Sequence, residues 1–229
     1  MLSNPFWFAL RTEQARFALG KGPVLRYPAD VIPFAGLEYP CIEQLIGLRD
    51  LLAPEEKIFV AADHLPEVEG LNQISELPGL QLQFNRDTPA LDSREFRGAK
   101  IQRLGAADTP AMVSLTDIAF PGFFRERTYQ LGSYFGVFKK GELVAMAGER
   151  LALPGIREIS AVCTHPEHTG NGYATALIQH LLRFHAEHGV RSFLHVAAEN
   201  ERAVRLYQHL GFVTTASVQF RELQRLTRY

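Results

Sequence analysis

The residues with the most chemical meaning lie at 158–177, EISAVCTHPEHTGNGYATAL. There an extended run stopped by Pro166 leads through Gly170-Asn171-Gly172 into a helical pattern. Small residues let a backbone approach a ligand closely, and the free N–H groups and positive dipole end of a starting helix favour an anion. The stretch points to a phosphate-bearing ligand; a helix start that merely needs flexible residues would look the same. Two familiar phosphate loops are excluded. A P-loop carries Lys and then Ser or Thr after its last glycine, whereas here Tyr173-Ala174 follow. A dinucleotide fingerprint needs Gly or Ala at a third position, held here by Thr175.

The elements that must position this junction follow from periodicity and punctuation. The chain has 229 residues, 46% of them apolar, enough for one large domain or two small ones. Two parts are expected: a smaller α/β region at 1–95 with no catalytic constellation, and a domain at 96–229 that holds the junction, with 88–98 as linker. The first part reads as a helix at 4–18, with Asn4 as N-cap and Pro5 in the first turn. A helix at 42–52 stopped by Pro54 and strands at 57–63 and 80–85 complete it. The second part opens with a strand at 99–105 and a helix at 108–119 capped by Asp108. A hairpin at 133–153 turning at Lys140-Gly141 and a strand at 155–166 follow. A helix at 170–188 carries Ala174, Leu177, Ile178, Leu181 and Leu182 on one face and is closed by Gly189. Then come a strand at 192–198, a helix at 200–210 closed by Gly211, and a strand at 213–223. Hairpins followed by strand–helix–strand–helix–strand predict an α/β (α+β) fold, a mixed sheet with helices on its faces.

Several function classes are disfavoured. A formal net charge of −1 argues against nucleic acid as the main partner. No apolar run approaches the ~18 residues of a membrane span, and no basic stretch precedes an apolar run at the start, so neither a membrane nor a secretory signal is expected. Cys41 and Cys163 are too few for a disulfide framework or a zinc site. A cytoplasmic location suits these features. All histidines but His64 lie between His165 and His209, including His185 and His188 on one helix. With no HExxH and no matching carboxylates they read as surface residues, and no metal is expected.

HPEHTGNGYATAL resembles the acetyl-CoA-binding motif of the GNAT superfamily of N-acetyltransferases, Gln/Arg-x-x-Gly-x-Gly/Ala. The motif falls on Thr169, Gly170, Asn171, Gly172, Tyr173 and Ala174, with Thr169 in the place of Gln or Arg. FLHVAAENERAVRLYQHLGF at 193–212 resembles the family's strand and following helix, met at Asn200, Ala203, Tyr207, Gly211 and Phe212. The resemblance covers 99–223, and FLHV with EISAVCTHP looks most like the glycine-N-acyltransferase-like branch.

The resemblance implies a mostly antiparallel GNAT-type sheet flanked by helices. It also implies acetyl transfer from acetyl-CoA to a primary amine by direct attack in a ternary complex. The implied cofactor contacts are Val162, Cys163 and Thr164 along pantetheine, then Thr169, Gly170, Asn171, Gly172, Tyr173, Ala174 and Thr175. Asn200, Ala203 and Tyr207 follow on the second motif. Glu158 is the implied base, with Glu149 as rival; the bland reading of either is a carboxylate paired with Arg150 or Arg157. Tyr207 is the implied general acid toward the thiolate, and a backbone N–H near Val162 the oxyanion donor. An acyl-Cys163 intermediate is the disfavoured covalent variant. Alternation puts Glu158, Ser160 and Val162 on one face of the strand and Ile159, Ala161 and Cys163 on the other. The expected partner is a small-molecule or peptide amine, with Phe123, Phe124 and Tyr129 near its pocket and a homodimer left open. A non-catalytic acyl-CoA-binding module and an enzyme for longer acyl-CoAs are the alternatives.

Overall fold

The computed structural model describes residues 1–85 and 100–227; the expected linker at 88–98 and the boundary at 95 lie outside them. The first helix is shorter than its periodicity predicts. Helix α1 spans Pro5–Arg11, burying Phe6, Trp7, Ala9 and Leu10, and the chain leaves it at Thr12. Gln14 gives the reason. It is 2% exposed, its Nε2 donates to the carbonyls of Leu131 and Arg150, and its Oε1 accepts the Tyr27 hydroxyl. These distant partners override local helix preference. Asn4 holds the expected N-cap position with Pro5 in the first turn, but its side chain makes no capping bond; its Nδ2 donates instead to the Leu37 carbonyl at 2.6 Å.

The described elements continue with β1 (Leu19–Lys21), β2 (Val24–Arg26), β3 (Phe34–Leu37), α2 (Ile42–Leu51), β4 (Lys57–Ala61) and β5 (Leu71–Phe84). After them come β6 (Ile101–Leu104), α3 (Thr109–Ala119), β7 (Tyr134–Lys139), β8 (Glu142–Leu153) and β9 (Ile156–Thr164). Helix α4 (Tyr173–Glu187), β10 (Arg191–Ala197), α5 (Glu201–His209) and β11 (Phe212–Arg225) complete the order. Strands β1 to β3 and the first half of β5 are additions to the sequence reading. Lys140 and Gly141 both have positive φ, 51° and 88°, as a tight two-residue hairpin turn requires. Asp108 holds the N-cap position of α3 as expected, though its side chain accepts the Gly105 N–H at 2.9 Å and not an amide of the helix.

All the described strands join one sheet in the order β1-β2-β3-β4-β11-β5-β10-β9-β8-β7-β6. Only β3–β4 and β9–β10 are parallel, so the sheet is mixed and mostly antiparallel, as expected, with helices on its faces. Strand β5 sits between β10 and β11, paired along both. Helix α4 packs on β8 and β9 through a cluster with Ile159, Leu177, Leu181, Tyr207 and Phe212. Helix α3 meets the same strands through a second cluster with Met112, Leu115, Tyr134 and Cys163. Among the described residues no helix is long and apolar enough to cross a membrane.

Candidate active site

Strands β9 and β10 pair in parallel only from Arg191–Ile156 to Phe193–Glu158. Beyond that point β9 continues to Thr164 and β10 to Ala197, so the strands part and leave a wedge. A cavity of about 280 Å³ fills it, bordered by Ile159, Ser160, Ala161 and Val162 on one side and His195, Val196 and Ala197 on the other. Four consecutive β9 residues can border one cavity because the strand is irregular there. Gly148 pairs with Ser160 and Met146 with Cys163, so Ala161 and Val162 together oppose Ala147. Ala161 has φ 52°, the left-handed region that L residues rarely adopt. The bulge reverses the alternation expected after Ser160. Val162 joins Ile159 in the α4 cluster, while Ala161 stays with Cys163 in the α3 cluster. Bulges re-aim backbone groups as well as side chains, which suits the Val162 N–H for a ligand in the wedge.

The glycine loop lies just beyond. Gly170 and Gly172 have φ 79° and 76°, and Gly172 caps α4. The helix therefore starts at Tyr173, later than periodicity predicts, and its first cap bond runs from the Ala176 N–H to the Gly172 carbonyl. Thr169 Oγ1 donates to the Pro166 carbonyl at 3.1 Å, and Asn171 Nδ2 to the His168 carbonyl at 2.9 Å. Those side chains brace the loop from within. Ala174 and Thr175 occupy the first turn, half-buried, where amides precede the helical ladder. In the second motif, Asn200 Oδ1 accepts the Ala203 N–H at 3.1 Å and so caps α5, while Ala203 packs against the α4 cluster. The motif's asparagine thus sets the start of the helix that carries Tyr207.

The charged residues form two buried networks. Glu158 is 0% exposed. Arg150 binds both its oxygens, Nε to Oε2 at 2.9 Å and Nη2 to Oε1 at 2.6 Å. His195 Nδ1 meets the same Oε1 at 2.7 Å. Burial would raise this carboxyl's pKa, but the Arg150 charge and hydrogen bonds, with His195 adding, outweigh it and hold the group at about 2. The pairing with Arg150 is the bland alternative raised for Glu158. Arg150 is itself held over the rings of Phe34 at 4.9 Å and Phe6 at 5.3 Å. His195 is a site residue that sequence reasoning missed. Its Nδ1 faces a carboxylate, so the neutral ring carries its proton there and leaves Nε2 as acceptor. Nε2 has no hydrogen-bond partner among the described residues, and the ring borders the wedge. The signal was a histidine inside the apolar run FLHVAA, in phase with Phe193, which pairs with Glu158.

Glu149 belongs to the second network, away from the wedge. Its Oε1 meets His185 Nε2 at 2.8 Å and its Oε2 accepts the Ser133 N–H at 2.5 Å. Burial raises its pKa, yet these bonds more than offset that and hold it below the usual carboxylate range. His185, expected at the surface, is 1% exposed and also bonds Ser192 Oγ through Nδ1 at 2.8 Å. The helical face it occupies is the buried one; His188, a turn later, is exposed.

Tyr207 also borders the wedge cavity and is 8% exposed. Burial, with the Cys163 charge adding, pushes its phenol far above the ordinary value, so it stays protonated and able to donate. Cys163 is buried against Met146 on the α3 side, and burial pushes its thiol up to about 12. That disfavours a thiolate nucleophile. Among the described residues no group of His, Cys, Asp or Glu could hold a metal.

Known proteins share this fold. Residues 103–212 match the acetyltransferase (GNAT) family model. The crystal structure of a GNAT-family protein from Novosphingobium aromaticivorans DSM 12444 matches with a TM-score of 0.89 and 31% identity over 99% of both chains. A GCN5-related N-acetyltransferase from Kribbella flavida shares the fold at TM-score 0.59 and 17% identity over 96% of both chains. A GCN5-related N-acetyltransferase-like protein from Streptococcus suis 89/1591 does so at 0.56 and 14%, over 88% of this chain and 83% of that one. No curated protein matches. With a full-length relative at this identity, and the glycine loop, the bulged strand and the wedge in one place, the chain belongs to the GNAT family of acetyltransferases.

Proposed function

We propose that the protein transfers an acetyl group from acetyl-CoA to a primary amine by direct attack in a ternary complex. The observation that carries this reading is the wedge between β9 and β10, where a bulged backbone, an imidazole nitrogen with no partner among the described residues and a protonated tyrosine border one cavity. The pyrophosphate rests on the amides of 170–175, and pantetheine runs along Val162, Cys163 and Thr164. The amine nitrogen attacks the thioester carbonyl carbon, and the Val162 N–H donates to the oxyanion. His195 Nε2 takes the amine proton. As the intermediate collapses the C–S bond breaks, and the Tyr207 hydroxyl gives its proton to the departing thiolate. The products are the amide and free CoA; His195 gives up its proton and Tyr207 regains one.

In this reading Glu158 has a different part from the base role its sequence position implies. Both its oxygens are engaged, and it is a very weak proton acceptor. It fixes the tautomer of His195 and balances the imidazolium that forms. The likeness of EISAVCTHP at 158–166 and FLHV at 193–196 to the glycine-N-acyltransferase-like branch belongs to the same reading, on sequence grounds. Calorimetry with acetyl-CoA, followed by free-CoA release in the presence of an amine panel, tests the proposal. Binding with amine-dependent release is expected; binding without release from any amine would sink the enzymatic reading.

A further inference from the structure

The aromatic wall beside His195 carries an inference about the acceptor, resting on the acetyl-transfer reading above. Phe220 meets His195 edge-on at 5.5 Å and Phe34 edge-on at 6.0 Å. Phe123 continues the wall 6.0 Å from Phe34 and is backed by Phe59 at 5.0 Å. Phe34, Phe123 and Phe220 all border the wedge cavity, and the last two are half-buried, so each keeps ring surface for a ligand. No Asp or Glu is among the described residues that line the cavity. The carboxylate behind it, Glu158, is already engaged by Arg150 and His195, and the Arg150 guanidinium reaches the cavity wall.

A cation in such a space would lose its water without gaining a counter-charge. A flat apolar body would gain ring contacts at the edge-to-face distances the wall already uses. We propose that the acceptor is a primary amine borne by a single aromatic ring or similarly flat apolar body, with no second cationic group. The ring lies against Phe220, Phe34 and Phe123, which brings the amine to His195 Nε2. The same surroundings favour the neutral amine, the form that can attack. The cavity of about 280 Å³ must also receive the acetyl group and the end of pantetheine, and the space left over favours a one-ring amine.

The test compares initial rates with acetyl-CoA and phenethylamine, cadaverine, spermidine or lysine as acceptor. Phenethylamine should exceed the others in kcat/KM by about tenfold or more. Phe123→Ala and Phe220→Ala should each raise its KM by about tenfold while calorimetric affinity for acetyl-CoA holds. Leu77 lines the same cavity at 39% exposure, so Leu77→Glu should fold and shift preference toward cadaverine. If acetyl-CoA does not bind, the acetyl-transfer reading falls and this inference with it. If acetyl-CoA binds but spermidine or lysine is the better acceptor, the acceptor inference alone is overturned. It is equally overturned if hexanoyl-CoA outperforms acetyl-CoA and Phe123→Ala abolishes that advantage, since the wall would then hold an acyl tail.

Discussion

Glu158→Gln keeps the shape of a side chain with no accessible surface and removes its charge. The Arg150 guanidinium is then left against Phe6 and Phe34 with only a neutral amide before it. The loss can be worked from the carboxyl itself, which is held at about 2 instead of 4.5. At about 1.36 kcal/mol for each factor of ten, that gap is about 3 kcal/mol of folding stability. Removing one partner of a buried pair independently costs about 3–5 kcal/mol. For a domain of this size the melting temperature should fall by about 6–12 °C at pH 7. The sign of the pH dependence follows from the depressed value. The carboxylate's contribution is complete above about pH 4.5, about halved by pH 3 and lost as the pH falls through 2. Thermal melts of both proteins at pH 7, 5 and 3 should show a wide gap at the first two values and a narrower one at the third. An unchanged melting temperature at pH 7 would refute the reasoning, because a buried charge pair of this geometry cannot be removed without cost. A gap equally wide at pH 3 would show that the lost stability has another source.

Other perturbations separate chemistry from architecture. His195→Gln should lower kcat about 10²–10⁴-fold near neutral pH, and the rate should recover at high pH where the amine is already neutral; full activity at neutral pH would place the base elsewhere. Tyr207→Phe keeps the ring in its cluster and should reduce kcat within the same range of about 10²–10⁴ with little change in melting temperature; normal turnover would make it a packing residue. Gly170→Val places a β-branched residue at φ 79°, where no neighbour obstructs a Cβ but the backbone is strained, so acetyl-CoA affinity should drop severely by calorimetry in a folded protein. Glu149→Gln should cost about 1–3 kcal/mol in urea denaturation through its buried bonds to His185 and Ser133, with kcat/KM unchanged in the folded fraction; a large kinetic effect would return it to the list of bases.

What could be read in advance was local. The helix at 173–187 announces itself through Leu177, Ile178 and Leu181, and the hairpin through Lys140-Gly141, because side-chain period and turn geometry are properties of neighbours in sequence. Gly170-Asn171-Gly172 was legible for the same reason. The end of α1 was not, since it depends on Gln14 reaching Leu131, Arg150 and Tyr27 across the fold. Strands β1 to β3 are three or four residues long, too short to show a period. The middle of β5 contains Pro78-Gly79, which reads as a break but lies along β11 as a strand. At the site, Glu158 was found by its place in a motif, but its partners were invisible. The tie between Glu158 and His195 spans 37 positions and exists only because β9 and β10 begin as neighbours. The bulge at Ala161 likewise has no signature in a run of small apolar residues.

The position of β5 between β10 and β11 has a consequence for how the molecule comes into being. Gln81 and Thr215, bonded across that seam, stand 134 positions apart. During synthesis β5 emerges long before either neighbour, with Leu82 awaiting the core that will enclose it. Two open strand edges must be kept from pairing with other chains throughout that interval. Closing so long a loop is entropically slow, and contacts of this range set the pace of folding. The wedge between β9 and β10 therefore matures late, because β10 gains its second neighbour only when β5 docks. Pulse-labelled hydrogen exchange would see this as amide protection at Leu80 and Leu82 arriving together with that of β11; protection of β5 well ahead of β11 would show that some other contact shelters it first.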